Sequence, residues 1–305
     1  MKDFGDSDFN GDCFSFVARL HSLNPKTHFV EILRIIDKEC NLFILEDTPE
    51  GCRPAMKKVN YERPSESRPV KFTPKYRNFN KYELSYWLSY GIRFEILSLY
   101  NVRSLTSCYF DRADGTGFTI NSTLEVPMFG YTFNEGTGIK VYRPNAKLGR
   151  FLYAGNLPRP YIFGLEQLKS SSLPTPGLSP VKAEYVFITG GEKDVMCLAA
   201  RGFKAISLNS ETARLSHSLL DALLMLFEHV IFLYDCDETG IRESALRVNE
   251  CRAHLCNKPA NTVVNLTLPL SGTKQEKDIS DFFRAGHSAT ELQDLVSAAI
   301  NKDDE

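Results

Sequence analysis

The chain has 305 residues, of which 43% are hydrophobic and 24% charged, with a formal net charge of −2. That balance describes an ordinary globular protein, long enough to bury a sizeable core and to fold as two domains, with room for a small appendage. It excludes a strongly basic nucleic-acid coat, so any nucleic-acid contact has to come from a local patch.

No run of about 18 apolar residues offers a membrane span. The opening "MKDFGDSDFNGD" is acidic rather than signal-like, so the expected location is the cytoplasm, with no membrane partner. Eight cysteines are scattered without any C-x-x-C pair, so no zinc ribbon and no zinc are expected in this chain. Cys197, in "VMCLAA", reads as a reduced core residue.

In chain order, residues 1–60 read as a helical N-terminal segment. "GDCFSFVARLHSL" places Phe14, Val17 and Leu20 three apart behind Gly11 and Asp12, and "HFVEILRIIDKEC" repeats the pattern. Residues 61–81, rich in proline and charge, read as a linker. From Tyr82 to Leu168 a mixed α+β unit is expected. Two short helices broken at Gly91 lead into the strand-like runs "SLTSCYF", "EVPMFGYTF", "GIKVYRP" and "RFLYAG". Residues 169–184, again rich in Pro and Ser, read as a second linker.

The rhythm then changes. "YVFIT", "FKAISLN", "HVIFLYD" and "NTVVNLTL" alternate with helical segments at 192–201, 215–228 and 239–256. Strands alternating with helices predict an α/β unit with a parallel sheet over 185–285, followed by a C-terminal helix over 286–305. In such sheets functional groups collect beyond the carboxyl ends of the strands.

Three acidic groups fall at those ends. In "VIFLYDCDETG", Asp235 and Asp237 follow an apolar strand and point to one face, about 6.5 Å apart. Ionised together, they repel by roughly 2–3 kcal/mol at an effective dielectric near 20. A proton, a nearby arginine, bulk water or a divalent cation must offset that, and a solvated turn is the plain alternative. In "YVFITGGEKDVMC", Gly190 and Gly191 let the backbone approach a ligand and Lys193 offers a cation for phosphate. Glu192 and Asp194 also suit a helix's first turn simply as dipole complements. In "KDISDFF", Asp278 and Asp281 follow the last strand, and a single Asp there can equally be an N-cap. Three acidic groups after three strands of one sheet would converge into a site for hard cations.

In this order and spacing, "GEKD", "YDCDETG" and "KDISDFF" resemble the Toprim domain shared by bacterial-type primases, topoisomerases and some nucleases. "GIKVYRPNAKLGRFLYAG" followed by "YIFGLEQL" is similar to the polymerase half of phage and mobile-element primases. The N-terminal "KDFGDSDFNGDCFSFVARL" is similar to the segment that follows their zinc ribbon. Neither the ribbon nor a helicase domain is present in the 305 residues, so the resemblance implies a primase core.

The resemblance implies Glu192, Asp194, Asp235 and Asp237 as catalytic residues, and Asp235, Asp237 and Asp278 as ligands of Mg²⁺ or Mn²⁺. Lys140, Arg143, Lys147, Arg150 and Lys193 would bind triphosphate or template, although the basic run also reads as a solvated hairpin. The implied partners are single-stranded DNA, ribonucleoside triphosphates and a separate replicative helicase, in the cytoplasm of a bacterial or phage-infected cell. One departure stands out. Toprim domains usually carry a Glu at the end of the first strand, where this chain has Gly190. A Toprim nuclease and a catalytically impaired DNA-binding accessory protein therefore stay open as alternatives.

Overall fold

The computed structural model describes residues 12–25, 27–39, 70–111, 115–171, 182–273 and 275–302. The chain divides into two compact units, Met1–Ser67 and Arg68–Glu305. In the first, α1 (Cys13–Leu20) starts at Asp12, whose carboxylate accepts from the Ser15 amide. It packs on α2 (Phe29–Glu39) through the rings of Phe14 and Phe29, 5.3 Å apart. Most of the remainder of the expected helical segment, 40–60, lies outside the described residues.

The second unit contains two sheets. β1 (Phe72–Arg77) opens the first, inside the stretch read as a linker. Its proline hid it: Pro74 needs no ladder partner for an amide it lacks, because β1 is an edge strand that pairs only with β2 (Val102–Asp111). Between these strands lie α3 (Lys81–Leu88), closed at its start by an Asn80–Glu83 capping box, and α4 (Phe94–Leu99). β3 (Gly117–Asn121), β4 (Phe129–Phe133), β5 (Gly138–Tyr142) and β6 (Phe151–Gly155) follow. All pairings in this sheet are antiparallel, in the order β1-β2-β4-β5-β6 with β3 beside β2.

The second sheet runs, in spatial order, through β11 (Val263–Asn265), β10 (Phe227–Leu233), β8 (Ala183–Thr189), β9 (Ala205–Leu208) and β7 (Ile162–Phe163). β7 is an antiparallel edge, and α5 (Leu165–Ser171) occupies residues partly assigned to the second linker. β8, β9, β10 and β11 are mutually parallel. The crossovers are α6 (Glu192–Ala199), α7 (His217–Leu226) and α8 (Glu238–His254). α9 (Ile279–Arg284) and α10 (Ala289–Lys302) complete the chain.

β10 shows why both faces of this sheet are covered. Val230 and Phe232 enter one core with Leu220 and Leu223 of α7 and Val248 of α8. Ile231 and Leu233 enter another with α6, α9, α10 and the aromatic residues Trp87, Phe129 and Tyr142 of the first half. A strand buried on both faces reads as a continuous apolar run, as "VIFL" does. Cys197 is buried in the second of these cores. The chain runs from β8 outward to β9 and then back across to β10, so the strand order reverses between β8 and β10. That reversal is where a ligand crevice is expected, and it faces the first sheet.

Candidate active site

Asp194, Asp235 and Asp278 reach this crevice from three elements. Each offers a carboxylate oxygen, and the three oxygens lie within 4.8 Å of one another. Asp194 lies in the first turn of α6, buried, and accepts a 2.5 Å hydrogen bond from Ser280 Oγ. Burial, then the charge of Asp278, pushes its carboxyl well above the usual range. Asp235 follows β10, and burial raises its carboxyl too, against the pull of Lys277. Asp278 caps α9 with one oxygen, accepting from the Asp281 amide at 2.7 Å, and with the other accepts from Lys193 Nζ at 3.0 Å. The capping and cluster readings of Asp278 therefore hold together.

Asp237 stands apart from that cluster. It caps α8 by accepting from the Gly240 amide at 3.0 Å, and its other oxygen meets Lys277 Nζ at 2.9 Å. The Gly240 amide and Lys277 hold its carboxyl below the usual value. Lys277 also pairs with Asp235, so one ammonium group bridges the D-x-D pair. Asp281 turns to Arg284 at 2.7 Å.

Glu192 faces the first sheet rather than the acidic cluster. Its Oε1 accepts from Lys140 Nζ at 2.5 Å and from the Tyr161 hydroxyl at 2.8 Å, and both charged side chains are buried. Lys140 also lies under the rings of Phe151 and Tyr153. It thus serves to join the two sheets.

The basic hairpin divides along the same lines. Arg150 lines the crevice, its guanidinium over the rings of Tyr142 and Phe151. Arg143 folds back on its own turn toward the Leu148 and Gly149 carbonyls, at 3.3 and 3.4 Å, and Lys147 is exposed in that turn. Lys193 sits over the Tyr90 ring. Burial works against its charge, but Asp194 and Asp278 outweigh that and hold its pKa above the ordinary value.

The crevice has a volume of about 350 Å³, with Tyr131, Arg150 and Phe151 on one wall and the three aspartates, Lys277 and Glu211 on the other. Sequence reasoning missed Lys277 and Glu211. Glu211 follows β9, a strand end of the same rim, so the rule that led to the other acids applied to it as well. Burial pushes its carboxyl up to about 7. Three close carboxylates, one of them buried, suit a hard divalent cation, for which oxygen donors are the preferred ligands.

No protein-family model matches the chain, and no curated protein matches it. Solved structures do. A DnaG primase catalytic domain bound to single-stranded DNA superposes with a TM-score of 0.52 at 12% identity, covering 72% of this chain and 74% of that one. The Escherichia coli primase catalytic core gives 0.51 at 13% identity, covering 70% and 72%. The fold is therefore the mixed α/β fold of primase catalytic cores. Among the described residues no helix is long and apolar enough to cross a membrane.

Proposed function

We propose that this chain is the catalytic core of a DNA primase that joins ribonucleotides into short primers on single-stranded DNA. The observation that carries this reading is the meeting of Asp194, Asp235 and Asp278 at the strand-order reversal of a primase-core fold. Asp194, Asp235 and Asp278 would hold Mg²⁺ or Mn²⁺, which when bound lowers the pKa of an attacking 3′-hydroxyl and neutralises charge developing on the phosphates.

The chain's own side chains supply the rest. Arg150, held over two aromatic rings at the crevice wall, offers a planar, bidentate donor for the triphosphate. Lys193 and Lys277 keep the carboxylate cluster from full mutual repulsion. Glu192, paired with Lys140, fixes the wall that faces the phosphates and acts as a positioning residue. Arg143 and Lys147, on the turn outside the crevice, fit backbone contacts to template. Single-stranded DNA and ribonucleoside triphosphates are the partners this geometry suits. A separate replicative helicase and a cytoplasmic setting follow from the same proposal.

The test is the product of the reaction. With single-stranded template, labelled ribonucleotides and Mg²⁺ or Mn²⁺, the chain should yield a ladder of short RNA. Shortened template instead would mean that the crevice activates water, as in a nuclease. Unchanged template and nucleotides at saturating cation would leave a binding protein.

A further inference from the structure

Position 190 has no side chain, and another residue fills the space beside it. A Cβ built on Gly190 would stand 2.8 Å from Glu211 Oε1 and 3.3 Å from Asp235 Oδ1. Glu211 arrives from the loop after β9, a different strand end, and lines the same crevice as the three aspartates. Its Oε1 accepts a hydrogen bond from the Asp235 amide at 3.0 Å. A long side chain at 190 and the observed place of Glu211 exclude each other.

Two roles compete for this carboxylate. As a loop fastener it needs only an acceptor for the Asp235 amide, and a neutral amide oxygen would serve equally well. As a charge it stands against Asp235 and Asp237, and the ammonium that bears on it, Lys277, is already engaged by both. A carboxylate placed where anions already crowd must be offset by a proton or a cation, and one that faces an open crevice beside three other carboxylates is placed for the cation.

We propose that Glu211 is a fourth carboxylate of the divalent-cation centre, admitted to it by the missing side chain at Gly190. This deepens the reading of Asp194, Asp235 and Asp278 as a cation site and rests on it. It also answers the departure at position 190, since the acidic group absent from β8's end is supplied from β9's.

The experiment is Mn²⁺ binding to the full chain, followed by electron paramagnetic resonance, in the parent and in Glu211→Gln, Gly190→Ala, their combination and Asp235→Asn. Glu211→Gln keeps the acceptor and removes the charge. It should weaken Mn²⁺ binding roughly tenfold or more, the scale on which groups supporting a metal site act, without lowering the cation-free thermal midpoint. Gly190→Ala should weaken binding by pushing Oε1 aside, and adding it to Glu211→Gln should cost less than it costs the parent, as contacting sites that act together behave. If Glu211→Gln binds like the parent while Asp235→Asn does not bind, the role of Glu211 is refuted and the cation site stands. If the parent binds no Mn²⁺, both fall.

Discussion

Lys277 resolves the repulsion between Asp235 and Asp237, pairing with both from a distant part of the chain. Repulsion alone would make Asp235→Asn with Asp237→Asn stabilising. With an ammonium group held between them, the stabilising partner is lost along with the charges. Lys277→Met leaves both carboxylates without it, and because the lysine is about a third exposed the loss is discounted to about 1–2 kcal/mol in cation-free buffer. Chemical denaturation measures it, and added Mg²⁺ should restore more stability to the variant than to the parent. An unchanged midpoint would mean that the bridge contributes nothing. A pH dependence belongs to Glu211. Its carboxyl is raised by burial from 4.5 to about 7, so the folded chain holds that proton more tightly than the unfolded one. The resulting stability is fully present below pH 4.5 and is lost as pH rises through about 7. Between pH 5 and 8, in chelator, the parent's melting temperature should fall relative to that of Glu211→Gln; parallel curves would contradict the shift.

Secondary structure places these residues, and one glycine shows how tightly. α8 begins against the backbone of Asp235, so a Cβ on Gly240 would lie 2.1 Å from the Asp235 carbonyl oxygen. Helix propensity alone would make Gly240→Ala stabilising by about 1 kcal/mol. The clash is with backbone that cannot swing away, and overpacking costs about 1–3 kcal/mol. The expected net result is a lower unfolding midpoint and weaker cation binding, and a more stable variant would show that α8 can shift freely. The parallel strands and their crossovers were legible because each is an apolar run followed by a helix start, as in "VIFLYDCDETG". β1 was not legible, because proline and charge mask an edge strand whose partner, β2, lies some thirty residues away. Nor was the fate of Lys140. Strand alternation gives the face of a residue but not what stands across from it, and its partner Glu192 belongs to another sheet.

At the scale of the whole second unit, the Lys140–Glu192 pair joins the antiparallel sheet to the parallel one beneath the crevice wall. Removing one member of a buried pair strands the other's charge, so Lys140→Met should cost about 3–5 kcal/mol in urea unfolding. The double change Lys140→Met with Glu192→Gln should recover part of that, because no buried charge is left. A single-variant loss below about 1 kcal/mol would mean that Tyr161 alone satisfies Glu192. The sequence showed that acids lie at three strand ends; which of them meet is set by the strand order β11-β10-β8-β9, a tertiary property that no local pattern carries. Anomalous scattering from Mn²⁺-soaked crystals reads that meeting of carboxylates out as a position in space. The expected result is a peak bonded to oxygens of Asp194, Asp235 and Asp278 at the wall opposite Arg150. Well-ordered crystals at saturating Mn²⁺ with no peak among these three residues would contradict it.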